Sequence, residues 1–155
     1  MIKDLSFPSS RDLSRLGFLP RREISKEVIQ VKKYDDLYCK LFVNWNTNRN
    51  NWYEDERNLT NFIKDKMDGN LDGGEIITKY CAIYVNKNVE FDKNKILEEE
   101  EDSFLYYPYF LDIEPLNSEI NQNDYIKEIK TLLSNFWENK IDAIAACHFE
   151  EQLYD

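Results

Sequence analysis

The feature that most constrains this chain is a helical stripe between two apolar runs. Tyr125, Ile126, Ile129, Leu132, Leu133, Phe136 and Trp137 recur at the spacing of one helix face. Before them stands "FLYYPYFLDIEP", Phe104 to Pro115, and after them "DAIAACHFE", Asp142 to Glu150. Both runs are rich in aromatic, branched or small apolar residues and too short for helices of similar burial, so they read as strands. A helix with one apolar stripe needs an apolar surface to cover, and a sheet face supplies it. The three elements together predict a βαβ unit, its strands parallel and its crossover right-handed.

Upstream the pattern is similar. "PSSRDLSRLG" predicts a short helix capped by Ser9 or Ser10 and stopped by Gly17, with extended chain after it at Val28 to Val31. "LYCKLFVNW" alternates Leu37, Cys39, Leu41, Val43 and Trp45 on one face, which predicts a strand. "NTNRNN" is a loop by composition. Trp52, Leu59, Phe62, Ile63 and Met67 then fall at helical spacing, and Gly69 ends that helix. "EIITKYCAIYV", Glu75 to Val85, predicts a further strand, and the acidic block "LEEEEDS" a solvated or frayed turn. Pro108 points to an edge position or a bulge for the strand that contains it. The expected fold is α+β: one domain over residues 1–155, with two layers. It has a mixed sheet of four to six strands, helices mainly on one face, and the C-terminal βαβ unit.

The C-terminal third, through "FLYYPYFLDIEP", the helix and "AIAACHFEEQL", resembles a group of small uncharacterised bacterial proteins. In these a similar Ala-Ala-Cys-x-Phe-Glu strand follows a helix. The resemblance implies the strand–helix–strand order and no activity; the abundance of Asn, Lys and Ile, common in proteins from AT-rich genomes, is what points to a bacterial source.

Charge narrows the partners. The 30 acidic and 20 basic residues leave a formal charge of -10, a field that repels phosphate backbones and anionic lipid. Nucleic acid and membrane are therefore not expected partners. Arg15, Arg21, Arg22, Lys26, Lys32 and Lys33 do gather positive charge near the start, and they read as a solvated segment. No apolar run is long enough to span a bilayer, and "MIKDLSFPSSRDL" lacks the apolar core of a signal peptide. Cys39, Cys81 and Cys147 are odd in number and sit in apolar surroundings, as reduced thiols of a cytoplasmic protein do.

Several stretches invite chemistry. "DGNLDGGEIITK" begins as a calcium loop does, with oxygens at Asp68, Asn70 and Asp72. Its closing position, however, holds Lys79 where a bidentate Glu is needed, and a strand comes next where a helix should. It reads as turn chemistry. His148 is the only histidine, and its neighbour Cys147 points to the opposite strand face, so no thiol nucleophile and base can pair. No Gly-rich loop joins a strand to a helix, and no cofactor is expected.

Strand parity leaves one polar set. Asp112 and Glu114 share a face with Tyr106 and Phe110, while His148 and Glu150 share one with Asp142, Ile144 and Ala146. If the two strands were parallel neighbours, Asp112, Glu114, His148 and Glu150 would line one surface able to bind a divalent metal or do acid–base work. The plainer reading is a solvated sheet face. Exposed aromatics suit contact surfaces, which makes Tyr106 and Phe110 one candidate patch and Trp45 and Trp52 another. The leading expectation is a non-enzymatic cytoplasmic module that binds a basic protein, an immunity protein against a basic toxin being one form. The second is a small metal-dependent or acid–base enzyme built on the four polar residues.

Overall fold

A computed structural model describes residues 32–45 and 51–154. The helix read at residues 8–17, the extended stretch Val28–Val31 and most of the basic cluster and the Asn-rich loop lie outside them. Contacts divide the chain into two compact units, Met1–Lys33 and Tyr34–Asp155, a boundary that no Pro, Gly or Ser-rich linker announces. Every described helix and strand belongs to the second unit.

Its strands are β1 (Cys39–Val43), β2 (Asn70–Asp72), β3 (Glu75–Ile77), β4 (Cys81–Lys87), β5 (Tyr109–Pro115) and β6 (Ala143–Cys147). Helix α1 (Trp52–Met67) joins β1 to β2, and α3 (Gln122–Glu138) joins β5 to β6. The short α2 (Lys93–Leu97) and a 3-10 turn (Ser103–Tyr106) lie between β4 and β5, and α4 (Glu150–Leu153) comes after β6. The strands form one sheet in the order β2-β3-β4-β5-β1-β6, and every neighbouring pair is antiparallel.

The fold is α+β, and the C-terminal strand–helix–strand order stands. Its pairing differs from expectation. β5 and β6 point the same way, but β1 lies between them and runs against both, so the sheet is antiparallel throughout and no parallel pair forms. The connection through α3 is long enough to step over an intervening strand, and β1 offers Cys39, Leu41 and Val43 to the helix-covered core for that place.

Helices α1 and α3 cover the same sheet face. Leu59 and Ile63 of α1, and Tyr125, Ile129, Leu132, Leu133 and Phe136 of α3, join Leu41, Val43, Ile83, Leu111 and Ile113 in one buried cluster. Each helix starts on an asparagine: Glu54 N–H donates to Asn51 Oδ1 at 3.1 Å, and Asp124 N–H to Asn121 Oδ1 at 3.1 Å. These caps satisfy donors that have no partner within the helix. Helix α1 also places Glu54 and Asp55 in its first turn and Lys64 and Lys66 in its last, in accord with its dipole. At its end Asp68, φ 54°, takes the left-handed position, not Gly69. Gly69 is needed for a different reason. A Cβ there would meet Ile76 Cγ2 at 3.0 Å and Ile77 O at 3.2 Å, where β3 passes close.

The single strand expected from Glu75 to Val85 is two. Thr78 N–H donates to Cys81 O at 2.9 Å and Cys81 N–H to Thr78 Oγ1 at 3.0 Å, which turns the chain. Glu128 of α3 holds that turn, accepting from Thr78 Oγ1 at 2.7 Å and from Tyr80 N–H at 3.0 Å. "DGNLDGG" closes α1, forms β2, and turns at Gly73 and Gly74, φ 60° and 90°, into β3. Positive φ at both central residues is the conformation of a type I′ two-residue hairpin loop, whose twist matches that of the flanking strands. Pro108 does not make β5 an edge strand, since β5 lies between β4 and β1. It precedes the strand, and its carbonyl accepts from Asn88 N–H at 2.8 Å.

Candidate functional site

The sheet face opposite the helices carries the polar and aromatic residues that the core does not take. Antiparallel partners share a face. Register therefore sets Lys40 beside Asp112 and Ala146, Tyr84 beside Asp112, and Phe42 beside Phe110 and Ile144. Tyr38, two residues before Lys40, reaches the same surface.

Asp112 is its centre. The Tyr38 hydroxyl donates to Asp112 Oδ1, and Asn86 Nδ2 donates to Asp112 Oδ2 at 2.9 Å. Both carboxylate oxygens are thereby held from opposite sides of β5. Burial, together with the hydrogen bond to Asp112, raises the Tyr38 phenol above its ordinary range, so it remains a neutral donor. Lys40 Nζ lies 4.2 Å from the Phe110 ring centre and 5.3 Å from that of Phe42. Its charge is seated on aromatic faces beside the carboxylate. Phe104 of the 3-10 turn packs edge-on against Phe42, ring centres 5.3 Å apart, and closes one end of this surface. Tyr38 and Tyr84 remain 37% and 46% exposed, large enough apolar area to matter for contact.

The four polar residues of the metal reading are distributed otherwise. Asp112 and Glu114 lie on β5, with β1 between that strand and β6. β6 ends at Cys147, so His148 falls in a turn and Glu150 begins α4, where its carboxylate accepts from Cys147 N–H at 3.3 Å. Among the described residues no group of three or more His, Cys, Asp or Glu side chains could hold a metal ion. The expected convergence rested on adjacent parallel strands; with β1 interposed, the β5 and β6 residues of this face flank Lys40 but stand two strand spacings apart, about 9.5 Å.

The aromatic candidates separate into different environments. Phe110 belongs to the open face, under Lys40. Tyr106 lies in the 3-10 turn with Lys95 Nζ 5.6 Å from its ring centre. Trp45 and Trp52 pack against the helix-side core instead. Trp45 meets Phe62 at 5.4 Å between ring centres, while Trp52 meets Tyr109 at 5.7 Å and Phe91 at 5.8 Å. Sequence reasoning misses Tyr38, Lys40, Tyr84 and Asn86. Their signal is strand parity, since Lys40 falls on the face opposite Cys39, Leu41 and Val43.

Elsewhere, an open groove of about 600 Å³ lies where α1 meets the β2–β4 strands and is lined by Tyr53, Glu56, Arg57 and Leu71 among others. It holds charge of both signs and none of the sequence candidates. No described helix is long and apolar enough to cross a membrane. The chain matches no family model, no curated protein and no solved structure among those compared.

Proposed function

We propose that this protein is a non-enzymatic binding module whose open sheet face receives a basic protein. One observation carries the reading: Asp112 is fixed by donors on two sides, with the exposed rings of Tyr38 and Tyr84 beside it. Tyrosine gives contact area at low entropic cost, and a carboxylate already held in place loses little freedom when a cation reaches it. The charge balance supports the same partner. Residues 34–155 carry twelve Lys and Arg against twenty-six Asp and Glu, whereas residues 1–33 carry eight against four. An acidic body steers a basic partner to itself and speeds their encounter. A cytoplasmic immunity protein that neutralises a basic toxin is one concrete form.

The test compares the native protein with Tyr84→Ala, immobilised in low salt and exposed to its own cell extract. Proteins retained by the native form alone should be basic and should be released as salt rises. Retention of the same set by Tyr84→Ala, or a retained set that is acidic, overturns the reading.

A further inference from the structure

Two of the three cysteines face each other across β1 and β6. Cys39 and Cys147 are register partners, Cys39 fully buried and Cys147 partly open. The phase of the ladder decides how close they stand. Asn44 N–H donates to Asp142 O at 2.8 Å, which makes 44 and 142 a hydrogen-bonded pair. Pair types alternate along antiparallel strands, so 39 and 147, an odd number of steps away, form a non-hydrogen-bonded pair. The amides of β6 agree. Ala145 N–H donates to the Tyr154 hydroxyl at 2.8 Å and Cys147 N–H to Glu150, both away from β1.

At such positions Cα atoms are typically about 4.5 Å apart and side chains are at their closest. Disulfides span Cα separations of about 4.4–6.8 Å, so a bridge fits here near its short limit. Cys81, by contrast, lies on β4, with β5 between it and β1. Two strand spacings are about 9.5 Å, beyond what a disulfide reaches without backbone movement.

We propose that Cys39 and Cys147 are a dithiol modification site that closes reversibly to a cross-strand disulfide through a small-molecule disulfide such as oxidised glutathione. The partly open Cys147 reacts first. Its thiolate attacks one glutathione sulfur, the glutathione S–S bond breaks, and one glutathione thiolate leaves and takes up a proton. The Cys39 thiol then gives its proton to solvent and attacks the Cys147 sulfur, expelling the second glutathione thiolate. Two protein thiols are oxidised and one glutathione disulfide is reduced to two thiols. The electrostatics suit this order. A hydrogen bond from the Cys39 thiol lowers the Cys147 thiol, against opposing burial and the Glu150 and Glu151 carboxylates, and the same hydrogen bond with burial raises Cys39.

The experiment incubates the native protein with oxidised glutathione, quenches, unfolds and alkylates the remaining thiols, and reads intact mass and linked peptides. The expected product is a monomer that has lost two hydrogens, takes up one alkyl group, at Cys81, and yields a Cys39–Cys147 peptide pair. Reduced glutathione should restore all three alkylations. In Cys39→Ser the glutathione adduct on Cys147 should persist, since nothing resolves it. Three alkylations in the native protein, a stable glutathione adduct there, a bridge to Cys81 or a disulfide-linked dimer would each overturn the proposal. Because the deciding readout uses the native protein, it stands even if Cys39→Ser fails to fold.

Discussion

The Tyr38 hydroxyl donates to Asp112 across a separation of 74 residues in sequence, joining the chain just before β1 to the middle of β5. Asn86 of β4 holds the other oxygen of the same carboxylate, so one side chain ties three neighbouring parts of the sheet.

That arrangement predicts coupling between its members. Tyr38→Phe should destabilise by about 1 kcal/mol, the net worth of a hydrogen bond. In an Asp112→Asn background the same change should cost less, because the amide no longer offers two charged acceptor oxygens. Urea unfolding of both single variants and the double variant measures the difference. Strictly additive losses would show that the hydrogen bond contributes nothing in solution.

The hairpin between β2 and β3 tests backbone conformation without packing, since a Cβ at Gly73 or Gly74 meets nothing within 4 Å. Gly74→Ala, at φ 90°, should cost about 1–2 kcal/mol through the left-handed conformation alone. Gly73→Asn should be nearly neutral, within about 0.5 kcal/mol, because asparagine tolerates φ 60° at that turn position. Equal effects at the two positions in thermal melts would contradict the turn described.

Adjacent residues of α3 should respond very differently to truncation. Phe136 is fully buried and stacked on Phe62 at 5.3 Å, so Phe136→Ala should cost about 3–5 kcal/mol. Trp137 is 40% exposed, packs on Tyr154 and donates from its indole to Ala143 O at 3.0 Å. Trp137→Ala should cost distinctly less, about 1–2 kcal/mol. Chemical denaturation of the two variants checks the order.

Alkaline pH should unfold the protein through its core tyrosines. Burial raises the phenols of Tyr109 and Tyr125 well above their ordinary value of 10.0. The unfolded chain then releases protons that the folded one retains, so stability falls as pH rises. The contribution is fully present below pH 10 and is lost progressively above it. Melting temperature tracked across pH 8 to 12, with tyrosinate absorbance read in parallel, should show ionisation of these rings coinciding with unfolding. Their ionisation in a still-folded protein would contradict the burial.

Periodicity is enough to place α1, α3, β1 and β5, because a helix stripe and a strand alternation leave marks in consecutive residues. Trp52 to Met67 and Tyr125 to Trp137 fall inside helices α1 and α3, and in β5 Tyr109, Leu111 and Ile113 are buried while Phe110 and Asp112 between them are not. The break at Thr78 leaves no such mark, since Glu128, 50 residues away, holds it. β2 is equally silent, an exposed strand of three residues with no apolar pattern to betray it. The largest departure is the place of β1. Its alternation shows that it belongs in the sheet, but nothing local says between which strands. Pairing with β5 and β6 is a long-range choice, made by the apolar face that β1 offers to both helices. That choice separates the four polar residues that parity alone places together. It also brings Tyr38 to Asp112 and Cys39 to Cys147, pairs joined only when strands distant in the chain become neighbours in the sheet.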